Sequence, residues 1–509
     1  MIALAGCADG SWVNTKTGQT VEVIAVPIET PADDPVASVS PSPSPSPSPS
    51  ASASLSPDTT PPTIGTGLAV ATVTPYTIGL TWGAATDDVT AASSLQYKIV
   101  SASLTTSIDT IAEADAVTGD NLILDWTTNL TSKTVGTLYS ATAYAFAVLV
   151  KDAAGNMALY TPVSQSTPTI THAKLAALSN GNVIAVYRDT SDSNKGKAIV
   201  IDSNFEVIAG PTVFETTGVN ADFGDNIGVT ALSGGGAAIM YESAASIGKF
   251  VVLSNSLSSV VASTTYMNEA AFFNDGIAVY DSGKLFIISG RPNFSAGGSQ
   301  GCGYAVFNSA DGSAIKAITG IFNGGGGNEM RGVAAAAIGA ARAIGIYSIG
   351  WSTLTLRYFI ADNTGTIQVA DSAAAITRSD SFTTVTLGNS NAMLVARDVS
   401  DSNKGKLVVY DSTGAAVVGA TQFAASVNGG LAASVRSSGN VILNYSDASS
   451  SSVGKYVIYQ PDGTVAQTAQ ALTTFDFRPE SSALFGNGSL AVVGTANSTN
   501  KYLKIVSSP

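Results

Sequence analysis

From about residue 170 onward the chain alternates short apolar runs with small polar turns. Val183–Tyr187 and Ala198–Ile201 are two such runs, and Met393–Ala396 and Leu407–Tyr410 are two more. Runs of roughly four to eight apolar, often β-branched residues bounded by Gly, Asn, Asp and Ser predict strands. Two of the intervening turns are nearly identical: RDTSDSNKGK, Arg188–Lys197, and RDVSDSNKGK, Arg397–Lys406, lie 209 residues apart. That separation is about four steps of 52, and a fixed period of that size signals a repeat architecture.

A Gly-Lys step, or a degenerate equivalent ahead of a strand, phases the repeat at Gly196, Gly248, Gly303, Leu356, Gly405, Gly454 and Asn500. The spacings are 52, 55, 53, 49, 49 and 46. Seven anchors predict seven units. After each Gly-Lys strand comes a turn such as DSNFEV at Asp202, NSADGS at Asn308, DNTGTI at Asp362, DSTGAA at Asp411 or QPDGTV at Gln460. Asp, Asn and Gly supply the positive φ values that tight hairpins need. Four short antiparallel strands per unit of about 50 residues predict a β-propeller of about seven four-stranded blades over residues 166–509. Helical repeats of this length would need Leu and Ala at spacing three to four with few Gly. The seventh unit stops at KYLKIVSSP, one strand short, and ALYTPVSQSTP from Ala158 is expected to supply the missing strand. A ring closed in that way leaves no open edge.

Residues 58–165 alternate differently. IGLTWGAATDD places Trp82 inward on an early strand, Tyr97 follows in SLQYKIV, and Tyr144, Phe146, Val148 and Val150 recur at spacing two before a turn at Gly155 and Asn156. Period two over that length predicts a half-buried strand. With the opening DTTPPT, Asp58–Thr63, this stretch resembles a bacterial fibronectin type III domain. The resemblance implies a β-sandwich in which Tyr144 is the tyrosine of the sandwich corner, its hydroxyl bonded back to the backbone. The fold class is therefore all-β, a fibronectin type III-like sandwich followed by a propeller, with the sandwich expected to act as a rigid spacer. Asp87, Asp88 and Asp152 are acids that can gather near calcium or serve as solvated turn formers.

Ahead of these modules, residues 40–57 read SPSPSPSPSPSASASLSP. Such a tract stays extended at about 3.1 Å per residue and acts as a semi-rigid spacer, so residues 8–57 are expected to be a disordered linker. Before it stands LAGC, Leu4–Cys7, which resembles the lipobox of bacterial lipoproteins and implies lipidation at Cys7. No basic and apolar leader precedes it, as though the reading frame starts late. Residues 1–7 then read as a truncated lipoprotein signal. Lipobox, spacer and globular modules in this order resemble surface lipoproteins of diderm bacteria such as spirochaetes, which implies attachment to the outer membrane or cell surface through a lipid.

Charge narrows the partners. Asp and Glu number 37 against 24 Lys and Arg, a net charge of -13. That balance disfavours nucleic acid, which needs a basic face. The two cysteines, Cys7 and Cys302, exclude a disulfide framework. Cys302 lies in the Gly-rich stretch GGSQGCGYA and is expected to be an exposed thiol.

Catalytic chemistry is thinly supported. The one histidine, His172, has no partner motif, and nucleophilic catalysis at Cys302 would lack a second histidine. Glycosidases work with two acids alone. The candidates are Glu215, Asp222, Asp225, Glu242, Glu269 and Glu329, but no motif joins any two. GGGG, Gly324–Gly327, lacks the Lys-Ser or Lys-Thr of a phosphate loop. In the duplicated loop, Asp189, Asp192 and Asn194, and likewise Asp398, Asp401 and Asn403, offer oxygens at a spacing that can wrap calcium. Lys195, Lys197, Lys404 and Lys406 oppose that reading, and the alternative is a long hairpin whose Asx side chains satisfy their own backbone. No cofactor is required. The expected function is a surface module binding an extracellular protein or glycan, with a carbohydrate-active propeller enzyme and a structural envelope component as alternatives.

Overall fold

The computed structural model describes residues 57–509 apart from Thr105, 221–226, 269–271, Asp281, 293–299, 323–329, Trp351, 498–499 and Ser508, together with three short N-terminal strands. Those strands, Leu4–Gly6, Trp12–Asn14 and Thr20–Val21, pair antiparallel within the unit Met1–Pro57. Two of them fall in the stretch expected as linker, where Trp12, Val13, Thr20 and Val21 are good β-formers. Cys7 and the Pro-Ser tract lie outside the described residues.

From Ile170 the chain builds seven sheets in sequence order. The first contains Ile170–Ala177, Val183–Asp189, Lys195–Ile201 and Val207–Glu215, each strand antiparallel to the next. The next five sheets repeat this order. Their first strands, Ile227–Ala231, Phe272–Val279, Met330–Ala337, Phe382–Thr386 and Val427–Val435, lie side by side around an axis. The ring shuts where Ile170–Ala177 meets the long strand Val465–Leu484. This is a seven-bladed propeller. The long strand is the outer strand of the sixth blade and then the inner strand of the seventh.

Burial explains the blades. In the first six blades the second and third strands are apolar along most of both faces, because each sheet is sandwiched between two neighbours. Ile184, Val186, Ala198 and Val200 pack toward the second blade, whereas Val183, Ala185, Ile199 and Ile201 pack toward the seventh. Continuous apolar runs are what doubly buried strands require. Outer strands slip register against the third strand in each of the first six blades. These bulges twist the exposed edge and blunt it against pairing with another chain.

The repeated Gly-Lys step has a steric cause. A Cβ on Gly405 would lie 2.5 Å from the Phe423 ring, and one on Gly196 would lie 2.4 Å from Phe214. In both blades the outer strand lays a phenylalanine across the glycine. Register puts Cys302, paired with Gly290, at this position in the third blade, and Lys501, paired with Thr495, in the seventh. Those anchors therefore sit one residue away from Gly303 and Asn500. Cys302 is 0% exposed, and burial raises its thiol pKa. The expectation of an exposed thiol is corrected, since a small side chain is what that enclosed position accepts.

Residues 58–166 form two sheets. Ala69–Val73, Ile78–Thr81 and Ser132–Val135 make one; Leu122–Thr128, Gln96–Ala102, Ala143–Lys151, Met157–Leu159 and Val163–Ser166 make the other. Trp82, Tyr97, Phe146, Val148 and Val150 fill the core between them. The backbone N–H of Tyr139 donates to the Tyr144 hydroxyl at 2.9 Å, the bond expected of a corner tyrosine. The strand bearing Tyr144 is buried on both faces and not half-buried. A short helix, Ile111–Asp115, and its flanks cover Ala145, Ala147 and Leu149 through Ile108 and Ala114.

The missing strand of the seventh blade does not come from Ala158 onward. Met157–Leu159 and Val163–Ser166 stay in the sandwich, paired to Ala143–Lys151, because a three-residue connection from Ser166 to Ile170 leads straight into the first blade. Among the described residues the seventh blade has three strands, the third being Asn500–Val506.

A Gly405→Ala variant is expected to melt lower, losing about 1–3 kcal/mol to overpacking against Phe423. Gly419→Ala, in the same blade and with no atom within 4 Å of the added methyl, should change stability by no more than about 0.5 kcal/mol. Thermal unfolding of the two side by side checks this.

Candidate functional site

Seven inner strands enclose a channel of about 660 Å³. Its wall mixes small and hydroxyl residues such as Ala335, Thr230 and Ser434 with larger apolar ones such as Val229 and Phe382, and among the described lining residues Lys174 and Glu480 carry charge. The Glu480 carboxylate accepts from Lys501 Nζ and, at 2.5 Å, from Thr495 Oγ1. Lys501 Nζ also donates to Thr495 Oγ1 at 3.1 Å.

One end of the ring is irregular. Inner strands slip register near their first residues in the first, third, fourth, sixth and seventh blades. Glu480 is the extra residue between Pro479 and Ser481, and His172 lies between Thr171 and Lys174 with φ of 52°. Gly429 and Gly430, with φ of 66° and 67°, occupy the bulge of the sixth blade. Bulges of this kind re-aim side chains beside functional sites. His172 Nδ1 lies 2.9 Å from Thr171 Oγ1, which also receives Arg188 Nη1 at 3.3 Å, while Arg188 Nε donates to the Val219 carbonyl at 2.8 Å.

The duplicated loops emerge on this same end, since Ile170 pairs with Asp189. Asp189 Oδ1 accepts from Ser191 N at 3.0 Å, Ser191 Oγ at 2.6 Å and Asp192 N at 3.2 Å, and Oδ2 accepts from Lys197 Nζ at 2.9 Å. Asp398 repeats the pattern with Ser400 N at 3.0 Å and Lys406 Nζ at 2.8 Å. Asp192 meets Lys195 and Lys197 at 2.9 and 2.7 Å, and Asp401 meets Lys404 and Lys406 at 3.0 and 2.7 Å. Asn194 and Asn403 take φ of 61° and 60° and pass their carbonyls to Val219 N and Val427 N, both at 2.8 Å. The acids are engaged in a hairpin held by lysine. The sixth blade has the same device in Asp447 and Lys455, which the sequence comparison of whole loops missed. Its signal was the aspartate eight residues ahead of the Gly-Lys lysine.

Other candidates separate. Glu215 is bonded to Thr217 N at 2.8 Å and to Lys249 Nζ at 3.2 Å, and Glu242 is buried at the end of a second-blade strand. Asp222, Asp225, Glu269, Glu329 and Gly324–Gly327 lie outside the described residues. Asp152 does not join Asp87 and Asp88. It is buried and accepts from Asn156 N and Nδ2, both at 2.8 Å, capping the turn after its strand. Asp58 takes its place: ligand oxygens of Asp58, Asp87 and Asp88 lie within 4.8 Å of one another, a grouping able to hold a cation. Their near oxygens serve turns, Asp58 Oδ1 to Thr60 N at 3.0 Å and Asp87 Oδ2 to Thr90 N at 2.8 Å.

No family model matches the chain. Over 102 residues it is 32% identical to chitinase Chi52 of Paenibacillus xylanexedens, a stretch that is 20% of this chain and spans 15% of that curated relative's length. Among solved structures, similarity extends to the BP39L lectin of Burkholderia pseudomallei, with 11% identity, TM-score 0.44, and 66% of this chain and 96% of the lectin covered. An ulvan lyase shows 9% identity and TM-score 0.43, with 67% and 94% covered. An α-L-arabinanase of Penicillium chrysogenum shows 12% identity and TM-score 0.39, with 67% and 93% covered.

Burial pushes the Asp398 carboxyl up, but hydrogen bonds from Lys406 and Ser400 outweigh it and leave the group below the usual aspartate range. A lowered folded pKa means stability present above the unfolded value and lost as pH falls through the folded one. Lys406 is held above its usual value by Asp398 and Asp401, so its share is lost only at alkaline pH. Asp398→Ala is expected to cost about 2–3 kcal/mol, less than a fully buried pair because Asp401 remains on Lys406. The difference from wild type should stay flat between about pH 5 and 9 and shrink below about pH 4. Urea unfolding across pH measures it.

Proposed function

We propose that this protein is an exported surface module, lipid-anchored through Cys7, whose propeller binds an extracellular glycan or protein at the bulged end of its channel. The carrying observation is the asymmetry between the two ends of the ring. One end repeats nearly the same Asp-turn hairpin, with Asp202, Asp362 and Asp411 each bonding its own loop backbone. The other carries bulges in five inner strands, beside hairpins of which three share one Asp–Lys device. Variable segments on a rigid scaffold are the usual vehicle of recognition.

Binding is favoured over hydrolysis by the described channel wall. Its carboxylate, Glu480, is engaged by Lys501 and Thr495, whereas a two-acid hydrolysis needs a second carboxylate about 5–10 Å away. The stretch shared with a chitinase supports a glycan-rich setting. The fibronectin type III reading of the sandwich rests on its opening DTTPPT, the buried Trp82 and the Tyr144 corner. The tether rests on LAGC and the Pro-Ser tract, and no helix among the described residues is long and apolar enough to cross a membrane.

Two measurements test this. In cells expressing the gene with its upstream sequence, fatty-acid labelling should occur in wild type and vanish in Cys7→Ala, with the propeller removed by protease from intact cells. Label independent of Cys7 sinks the anchor. On a glycan array, binding should fall about tenfold or more in Lys174→Ala, the loss of roughly one charged hydrogen bond. Binding unchanged in that variant places the ligand away from the channel, and an array without hits turns the search to protein partners.

A further inference from the structure

The sandwich does more than precede the ring. In the seventh blade Asn500–Val506 is the third strand, and among the described residues no fourth strand pairs with its outer edge. Two loops of the sandwich lie against that edge. In one, Tyr139 bridges Tyr502 as an isolated antiparallel pair, with their rings stacked at 4.4 Å. Ser140 N donates to the Lys501 carbonyl at 2.9 Å, and Lys501 N donates to Ser140 Oγ at 3.0 Å. The first is a bond that a fourth strand would make, and in the second a side-chain hydroxyl stands where a strand would offer a carbonyl.

The other loop carries Tyr76. It sits at the tip of the first hairpin of the sandwich, where Thr74 and Thr77 lock the turn through Thr77 N to Thr74 Oγ1 at 3.0 Å and Thr74 N to the Thr77 carbonyl at 2.9 Å. Leu138 N donates to the Tyr76 carbonyl at 3.0 Å, tying the two loops together. The Tyr76 ring is 0% exposed, and the apolar cluster that buries it consists of propeller residues, Ile170, Leu175 and Tyr187 of the first blade with Phe485, Val493 and Leu503 of the seventh. Its hydroxyl has no hydrogen-bond partner among the described residues, so packing alone holds it.

We infer that the sandwich is the closing element of the propeller: Tyr76 wedges the seam between the first and seventh blades, and Tyr139 with Ser140 takes an outer strand's place beside Asn500–Val506. The two modules then open together. The same grip reaches the channel, because Lys501, held at its backbone by Ser140, holds the Glu480 carboxylate with its ammonium.

The full chain carries its own reporter. With Cys7→Ser, Cys302 is the one thiol, buried in the third blade away from the seam. Its reaction with a thiol reagent in urea below the unfolding midpoint reads opening of the ring. Tyr76→Ala should speed labelling by about tenfold or more. Tyr76→Phe should leave it unchanged, because the hydroxyl bonds nothing. Tyr139→Ala, a milder change in the second loop, should speed labelling about threefold or more and serves if Tyr76→Ala does not fold. Labelling unaffected by Tyr76→Ala or, where that variant does not fold, by Tyr139→Ala means that the ring closes without the sandwich, and overturns the inference. So does Tyr76→Phe labelling as fast as Tyr76→Ala.

Discussion

A propeller depends on closing a ring of sheets, none of which is stable alone. Each blade is too thin to hide both of its apolar faces, and its neighbours on either side supply the cover. Here seven apolar clusters fill the seven interfaces between blades. An interface left open exposes two faces at once. The seam between the first and last blades is the place where chain connectivity gives no help, and covalent continuity at the other six makes that seam the constraint on which the ring rests.

Within a blade, two local devices set the geometry. The Gly-Lys step lets a phenylalanine of the outer strand cross the third strand, as Phe423 crosses Gly405, which brings the edge inward. The lysine that follows reaches back to an aspartate at the end of the second strand, in Asp189 with Lys197, Asp398 with Lys406 and Asp447 with Lys455. Both groups are partly buried, so each is retained for the partner that satisfies the other. The second blade replaces the aspartate with Ser243, and its Lys249 is met by Glu215 of the preceding outer strand. In these four blades the lysine keeps a carboxylate partner while the residue that supplies it changes.

Regularity and irregularity are divided between the two ends of the ring. Tight Asp turns on one end need only their own backbone, and they recur. On the other, bulged inner strands place His172 and Glu480 out of register around the channel, and the duplicated hairpins fix the rim. A rigid rim around unequal segments is a suitable base for selective contact.

Periodicity pointed to about seven units of short antiparallel strands, because doubly buried strands must be apolar throughout and turns must carry Gly, Asn or Asp. The backbone bond of the Tyr144 hydroxyl was expected from the family resemblance, whereas the spacing from Phe146 gave a half-buried strand where both faces are covered. Three features required the tertiary structure. Cys302 sits in a Gly-rich stretch that reads as a surface loop, yet pairing with Gly290 draws it inside. Asp58, nearly thirty residues from Asp87, joins the acid grouping in place of Asp152 because the first segment folds back across the sandwich. The missing strand was expected from the segment just before the ring, but contiguity in sequence did not decide it. Tyr76 reaches the seam and Tyr139 the outer edge of the seventh blade because the sandwich holds their two loops together, and a contact spanning hundreds of residues leaves no local pattern to read.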